Sequence, residues 1–77
     1  MAVKAFVLIE GEAGKIAAIV EAAQEVEGVK SADSVAGPYD IVATVEVADL
    51  EVLGNLVKQL HSISGICRTT TLVAMKF

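Results

Sequence analysis

Ser34-Val-Ala-Gly-Pro-Tyr-Asp-Ile-Val-Ala-Thr-Val-Glu-Val47 is the stretch that decides the fold. Ile41, Ala43, Val45 and Val47 alternate with Val42, Thr44 and Glu46, a two-residue period that marks a half-buried strand. Pro38 fixes its own φ and cannot donate a ladder hydrogen bond, so Gly37-Pro38 is a turn. Gly37 supplies the positive φ that tight connections often need. Residues 29–36 and 39–47 are then the two arms of a β-hairpin. The first arm holds Ser31, Ala32, Asp33 and Ser34, whose weak β-propensity suits a short edge strand. Asp40 leaves the turn at a place where a carboxylate caps backbone, lies in solvent or meets a ligand.

Outward from the hairpin, the same reading of periods extends to both ends. Residues 3–9 form a strand with Val3, Ala5, Val7 and Ile9 on one face and Lys4, Phe6, Leu8 and Glu10 on the other. A short loop, 11–14, leads to a helix over 15–26 with Ile16, Ile19, Val20, Ala23 and Val26 on its apolar side. No Ser, Thr, Asp or Asn caps its start, and Gly28 stands where a helix end favours a left-handed residue. After the hairpin, Asp49 caps a helix over 50–61 whose buried stripe is Leu50, Leu53, Leu56, Val57 and Leu60. Residues 66–77 form a last strand containing three consecutive threonines.

The order β-α-β-β-α-β, with right-handed crossovers, gives an α+β fold of ferredoxin-like topology. Its four-stranded antiparallel sheet carries both helices on one face, and residues 1–77 make one domain. The hydrophobic share is 55% with only 4% aromatic, so the core is aliphatic. Phe6, Leu8 and Val42, with Val73, Met75 and Phe77 from the last strand, are expected on the bare sheet face. A second copy packing there would make a homodimeric α+β sandwich or barrel. Antiparallel sheets also tolerate one wet face, and Lys4, Glu10, Thr44 and Arg68 suit that arrangement.

A net charge of −4 with six scattered Lys and Arg argues against direct nucleic-acid binding. One cysteine suits a reducing cytoplasm, and no run has the roughly 18 apolar residues of a membrane helix. The faintly signal-like N-terminus ends at Glu10 with no small-residue cleavage site. Gly11-Glu-Ala-Gly14-Lys15 has two residues between its glycines where a phosphate loop has four, and Ile16 replaces the required Ser or Thr. Cys67 and His61 are too few for a metal site, so no metal or cofactor is expected. Cys67 reads as a packing residue, His61 as a helix-end imidazole and Arg68 as a rim salt-bridge former. No catalytic set emerges.

Gly37-Pro38-Tyr39-Asp40 ahead of an alternating strand, with Ile66-Cys-Arg-Thr-Thr-Thr-Leu-Val73 at the end, resembles the effector-binding (RAM) domain of the Lrp/AsnC family of regulators. There a Gly-x-Tyr/Phe-Asp turn opens the third strand, and the last strand bears Thr-x-Thr, matched here by Thr69 and Thr71. The resemblance spans the whole chain. It differs from full-length regulators in that Met1 leads directly into the first strand with no helix-turn-helix, implying a stand-alone sensing and oligomerisation module.

The resemblance implies dimers paired through their sheets, higher assemblies of dimers, and an amino-acid effector held where dimers meet. Carried over, the ligand-binding residues are Gly37, Tyr39 and Asp40, with Thr69 and Thr71 opposite. Asp40 would take the ammonium, and backbone N–H groups and threonine hydroxyls the carboxylate. The competing structural roles are a turn cap for Asp40 and plain β-propensity for the threonines. The reading is therefore a non-enzymatic, cytoplasmic module for transcriptional regulation of amino-acid metabolism, able to co-assemble with full-length regulators. A small dimeric α+β-barrel enzyme of the cofactor-independent monooxygenase or isomerase type is the alternative. A purely structural assembly subunit is a third.

Overall fold

The computed structural model describes residues 2–75. Its elements are β1 (Val3–Gly11), α1 (Ile16–Gln24), β2 (Val29–Ser34), β3 (Ile41–Val47), α2 (Leu50–His61) and β4 (Ile66–Val73). They form one sheet in the order β2-β3-β1-β4, with every neighbouring pair antiparallel. The ferredoxin-like α+β topology expected from the sequence is the one observed. No described helix is long and apolar enough to cross a membrane.

The alternation in β3 is the clearest cause of this architecture. Ile41, Ala43, Val45 and Val47 are all buried, and register places them opposite Ile9, Val7, Ala5 and Val3 of β1. Ile19 and Ala23 of α1 close over this layer together with Leu53, Leu56 and Leu60 of α2. Burying each Val, Ile or Leu side chain of this layer contributes about 1.5–3 kcal/mol. Gly28 adopts a φ of 99° beside this core, and a Cβ there would lie 2.7 Å from Leu56 Cδ1, so glycine is needed on both counts.

Helix ends follow their caps. Asp49 Oδ1 accepts from the Val52 N–H at 2.9 Å, as expected for the N-cap of α2. At α1 the N-cap position is Lys15 and no side chain caps it. α1 is shorter than its apolar pattern because Glu25 and Val26 donate to the carbonyls three residues back, Ala22 and Ala23, which tightens the last turn.

Three expectations need correction. Leu50, expected in the buried stripe of α2, is 64% exposed. At about 100° per residue it lies roughly 80° from the Leu53–Leu56–Leu60 line, on the helix flank. Val73, expected on the bare sheet face, pairs with Ala5 and so shares the helix-side face, and β4 directs Arg68, Thr70 and Leu72 outward instead. The last strand ends at Val73, where the Ala74 N–H still donates to the Lys4 carbonyl at 2.8 Å. Met75 thus lies beyond the strand, and Phe77 lies outside the described residues. The bare face keeps Phe6, Leu8, Val42, Thr44 and Thr70, all half-buried, with Lys4 stacked 5.6 Å from the Phe6 ring centre.

Candidate functional site

The hairpin turn is fastened to the sheet through Asp40. The Val35 N–H donates to the Asp40 carbonyl at 2.9 Å, closing the turn, and the Asp40 N–H donates to the Ile9 carbonyl at 2.9 Å. Pairing between β1 and β3 ends at Ile9–Ile41, which leaves the Gly11 N–H without a strand partner on that side. Asp40 Oδ2 accepts it at 3.0 Å. The half-buried carboxylate thereby replaces a missing ladder contact. No other hydrogen bond reaches this carboxylate among the described residues.

Gly11 also marks the place where the β1–β4 register shifts. A Cβ there would stand 2.6 Å from Ile19 Cδ1, so α1 lies tight over this end of the sheet. Gly37 has a φ of 140° and open space where a Cβ would stand, and Tyr39 is half-buried nearby in the turn. The turn therefore projects from the sheet end with its one carboxylate drawn inward.

Thr69 and Thr71 stand elsewhere. They pair with Ile9 and Val7, half-buried on the helix-side face of the edge strand β4. β1 separates them from β3, and two strand spacings amount to about 10 Å. Thr69 Oγ1 meets His61 Nε2 at 2.5 Å, a contact that fixes the end of α2 on β4. His61 is thus more than a helix-end imidazole. Sequence reasoning misses its link to Thr69 because nothing in the local pattern aligns residues 61 and 69.

Within one chain, the five expected ligand residues occupy two places, the hairpin turn and the edge strand. A hollow of about 470 Å³ lies at the other end of β3, between Gly28, Val47 and the Val52–Leu56–Gln59 side of α2. Arg68 is the cross-strand partner of Glu10 on the outer face, and the sole ion pair among the described residues is Lys15–Glu12 at 3.9 Å. Cys67 is exposed rather than packed. No three of His, Cys, Asp or Glu gather as a metal site among the described residues.

This arrangement of turn, helix flank and edge strand can be set against known proteins. The pattern of the Lrp/AsnC ligand binding domain matches residues 4–77. The chain belongs to that family. A Thermus thermophilus protein of known structure shares 41% identity at a TM-score of 0.92, over 97% of this chain and 95% of that one. Escherichia coli AsnC superposes at a TM-score of 0.88 with 22% identity, over 97% of this chain but 52% of its own, and so supports the fold. A feast or famine regulatory protein of Mycobacterium tuberculosis, complexed with L-methionine, shares 26% identity at a TM-score of 0.77, over 97% of this chain and 51% of its own. No curated protein sequence matches the chain. The chain is thus a ligand-binding domain of the Lrp/AsnC type.

Proposed function

We propose that this domain binds a free α-amino acid and responds by changing its self-association. The observation that carries the reading is the Asp40 carboxylate, half-buried at the sheet end, with one oxygen on the Gly11 N–H and the other free to accept an ammonium. Family membership supports it, as does the L-methionine held by the M. tuberculosis relative. Gly37 and Tyr39 would flank the ligand. Thr69 and Thr71 would reach it from another copy, since on one chain β1 stands between them and the turn. The half-buried apolar residues of the outer sheet face, Phe6, Leu8 and Val42, would pair two copies. The module would act in the cytoplasm without contacting DNA itself, co-assembling with full-length regulators, and would carry out no catalysis.

Thermal denaturation across the amino acids, with L-methionine as first probe, tests this reading. Ligand at one hundred times its dissociation constant contributes about 2.7 kcal/mol, a shift of several degrees for a domain of this size. Asp40→Asn retains a carbonyl to accept from Gly11 but loses the charge facing the ammonium. Losing a charge-assisted bond of about 1.5–3 kcal/mol weakens binding by one to two orders of magnitude. Equal affinity in the two proteins defeats the assignment of Asp40. A wild-type protein that none of the amino acids stabilises defeats amino-acid sensing.

A further inference from the structure

The two edges of the sheet are not alike. β2 has six residues, a register irregularity between Val29 and Ser31, the charged Lys30 and Asp33, and a Gly-Pro turn that starts three residues beyond its end. These are the usual protections against strand-to-strand association. β4 has none of them over its second half, since Thr69 to Met75 contains no charge, no glycine and no proline. Its pairing with β1 is regular from Arg68 to Val73. Because the Ala74 N–H turns inward to Lys4, alternation directs the N–H and C=O groups of Thr69, Thr71 and Val73 to the open side.

The flank of α2 above this edge is equally unfinished. Leu50, Gly54, Val57 and His61 fall on one side of the helix, and the His61–Thr69 contact shows that this side faces β4. Leu50 is 64% exposed and Val73 46%. Gly54 is exposed in the helix interior, and a Cβ there would meet nothing within 4 Å, so nothing inside the chain calls for a glycine.

We propose that the free edge of β4 joins a second copy of this chain, antiparallel, about a two-fold axis at Thr71, into one continuous sheet. In that register Thr71 opposes Thr71, Thr69 opposes Val73 of the partner subunit, and Thr70 opposes Leu72 of the partner subunit. Every one of these pairs is uncharged, in a chain whose net charge is −4. The alternation supplies about six main-chain hydrogen bonds across the axis. The two α2 flanks then face each other over the joined strands, with Gly54 keeping the seam open. This surface differs from the outer sheet face, and the proposal depends neither on that pairing nor on amino-acid binding.

Cysteine cross-linking decides the register. With Cys67→Ala as background, Thr71→Cys brings two thiols together at a Cα separation of about 5.5 Å, within reach of a disulfide. Mild oxidation should yield a covalent dimer for Thr71→Cys alone, and for Thr69→Cys only when it is mixed with Val73→Cys. Thr69→Cys cross-linking to itself as efficiently as Thr71→Cys overturns the two-fold. So does an absence of cross-links, the result expected if a strand of another protein occupies the edge. Thr71→Pro removes an outward N–H and spares the ladder to β1, so light scattering should find half the wild-type mass; an unchanged mass overturns the proposal. If that variant does not fold, the cross-links still decide. Phe6→Glu on the outer face should leave the Thr71→Cys cross-link intact, which separates this surface from sheet-face pairing.

Discussion

The two faces of the sheet are made by the same strands, residue by residue, and end in opposite states. On the helix side Ala5, Val7, Ile9, Ile41, Ala43 and Val45 are wholly inaccessible. On the other side their immediate neighbours Phe6, Leu8, Val42 and Thr44 are half-buried, and Leu72 remains 50% exposed. Side-chain type does not explain the contrast, because Leu8 is as apolar as Ile9. The helices explain it, since both cover one face. The inner face thus supplies the stability of a single chain, and the outer face holds apolar area that only another molecule can remove from water.

Neighbouring substitutions in β1 break this comparison if it is wrong. Ile9→Ala leaves a cavity among fully packed side chains and should destabilise the fold by about 2–5 kcal/mol. Leu8→Ala should cost about 1 kcal/mol or less in dilute solution, because its side chain is already partly wet. The check is urea unfolding at several protein concentrations. The Leu8 penalty should grow where copies associate, and the Ile9 penalty should not. Equal penalties at low concentration would mean that the outer face is as well packed as the inner one.

How far the sequence revealed these faces depends on the element. Within β3, the alternation of Ile41, Ala43, Val45 and Val47 with less apolar residues named the buried face directly. In β4 the run Thr69-Thr70-Thr71 has no polarity contrast. The period showed which residues share a face, while the face itself comes from the pairing of Thr71 with Val7 and Val73 with Ala5. Leu50 fits a three-residue spacing yet lies on the helix flank, since spacing by threes drifts about 60° per step. The candidate site was legible as residue types. The bond from Asp40 to the Gly11 N–H links positions 29 residues apart and depends on where the β1–β3 ladder stops.

The helices that separate the two faces differ in how firmly they are started, which allows the cover itself to be weakened. Asp49 satisfies one of the unpaired N–H groups of α2, whereas α1 begins at Lys15 with no side-chain cap. Asp49→Ala should lower stability by about 1 kcal/mol. Serine in its place restores most of that, because its hydroxyl can accept the same hydrogen bond. The loss should be independent of protein concentration, since the cap lies on the helix layer and away from the outer face. A concentration-dependent loss would place Asp49 at an interface between copies.

The smallest expected effect sharpens the comparison most, because it separates an empty flank from a used one. Gly54 has an ordinary helical backbone and open space at its Cβ, so alanine fits without a clash. Alanine also reduces the conformational entropy lost on folding, and in an exposed helix interior this stabilises by about 0.5–1 kcal/mol. In dilute solution Gly54→Ala should therefore raise the unfolding free energy by that amount, read as a higher urea midpoint with an unchanged slope. At concentrations where copies associate, the added methyl groups enter the seam between the two α2 flanks, and the gain should shrink or reverse. A stabilisation that stays constant from low to high concentration would show that the flank of α2 faces only water. The glycine would then have no role in assembly.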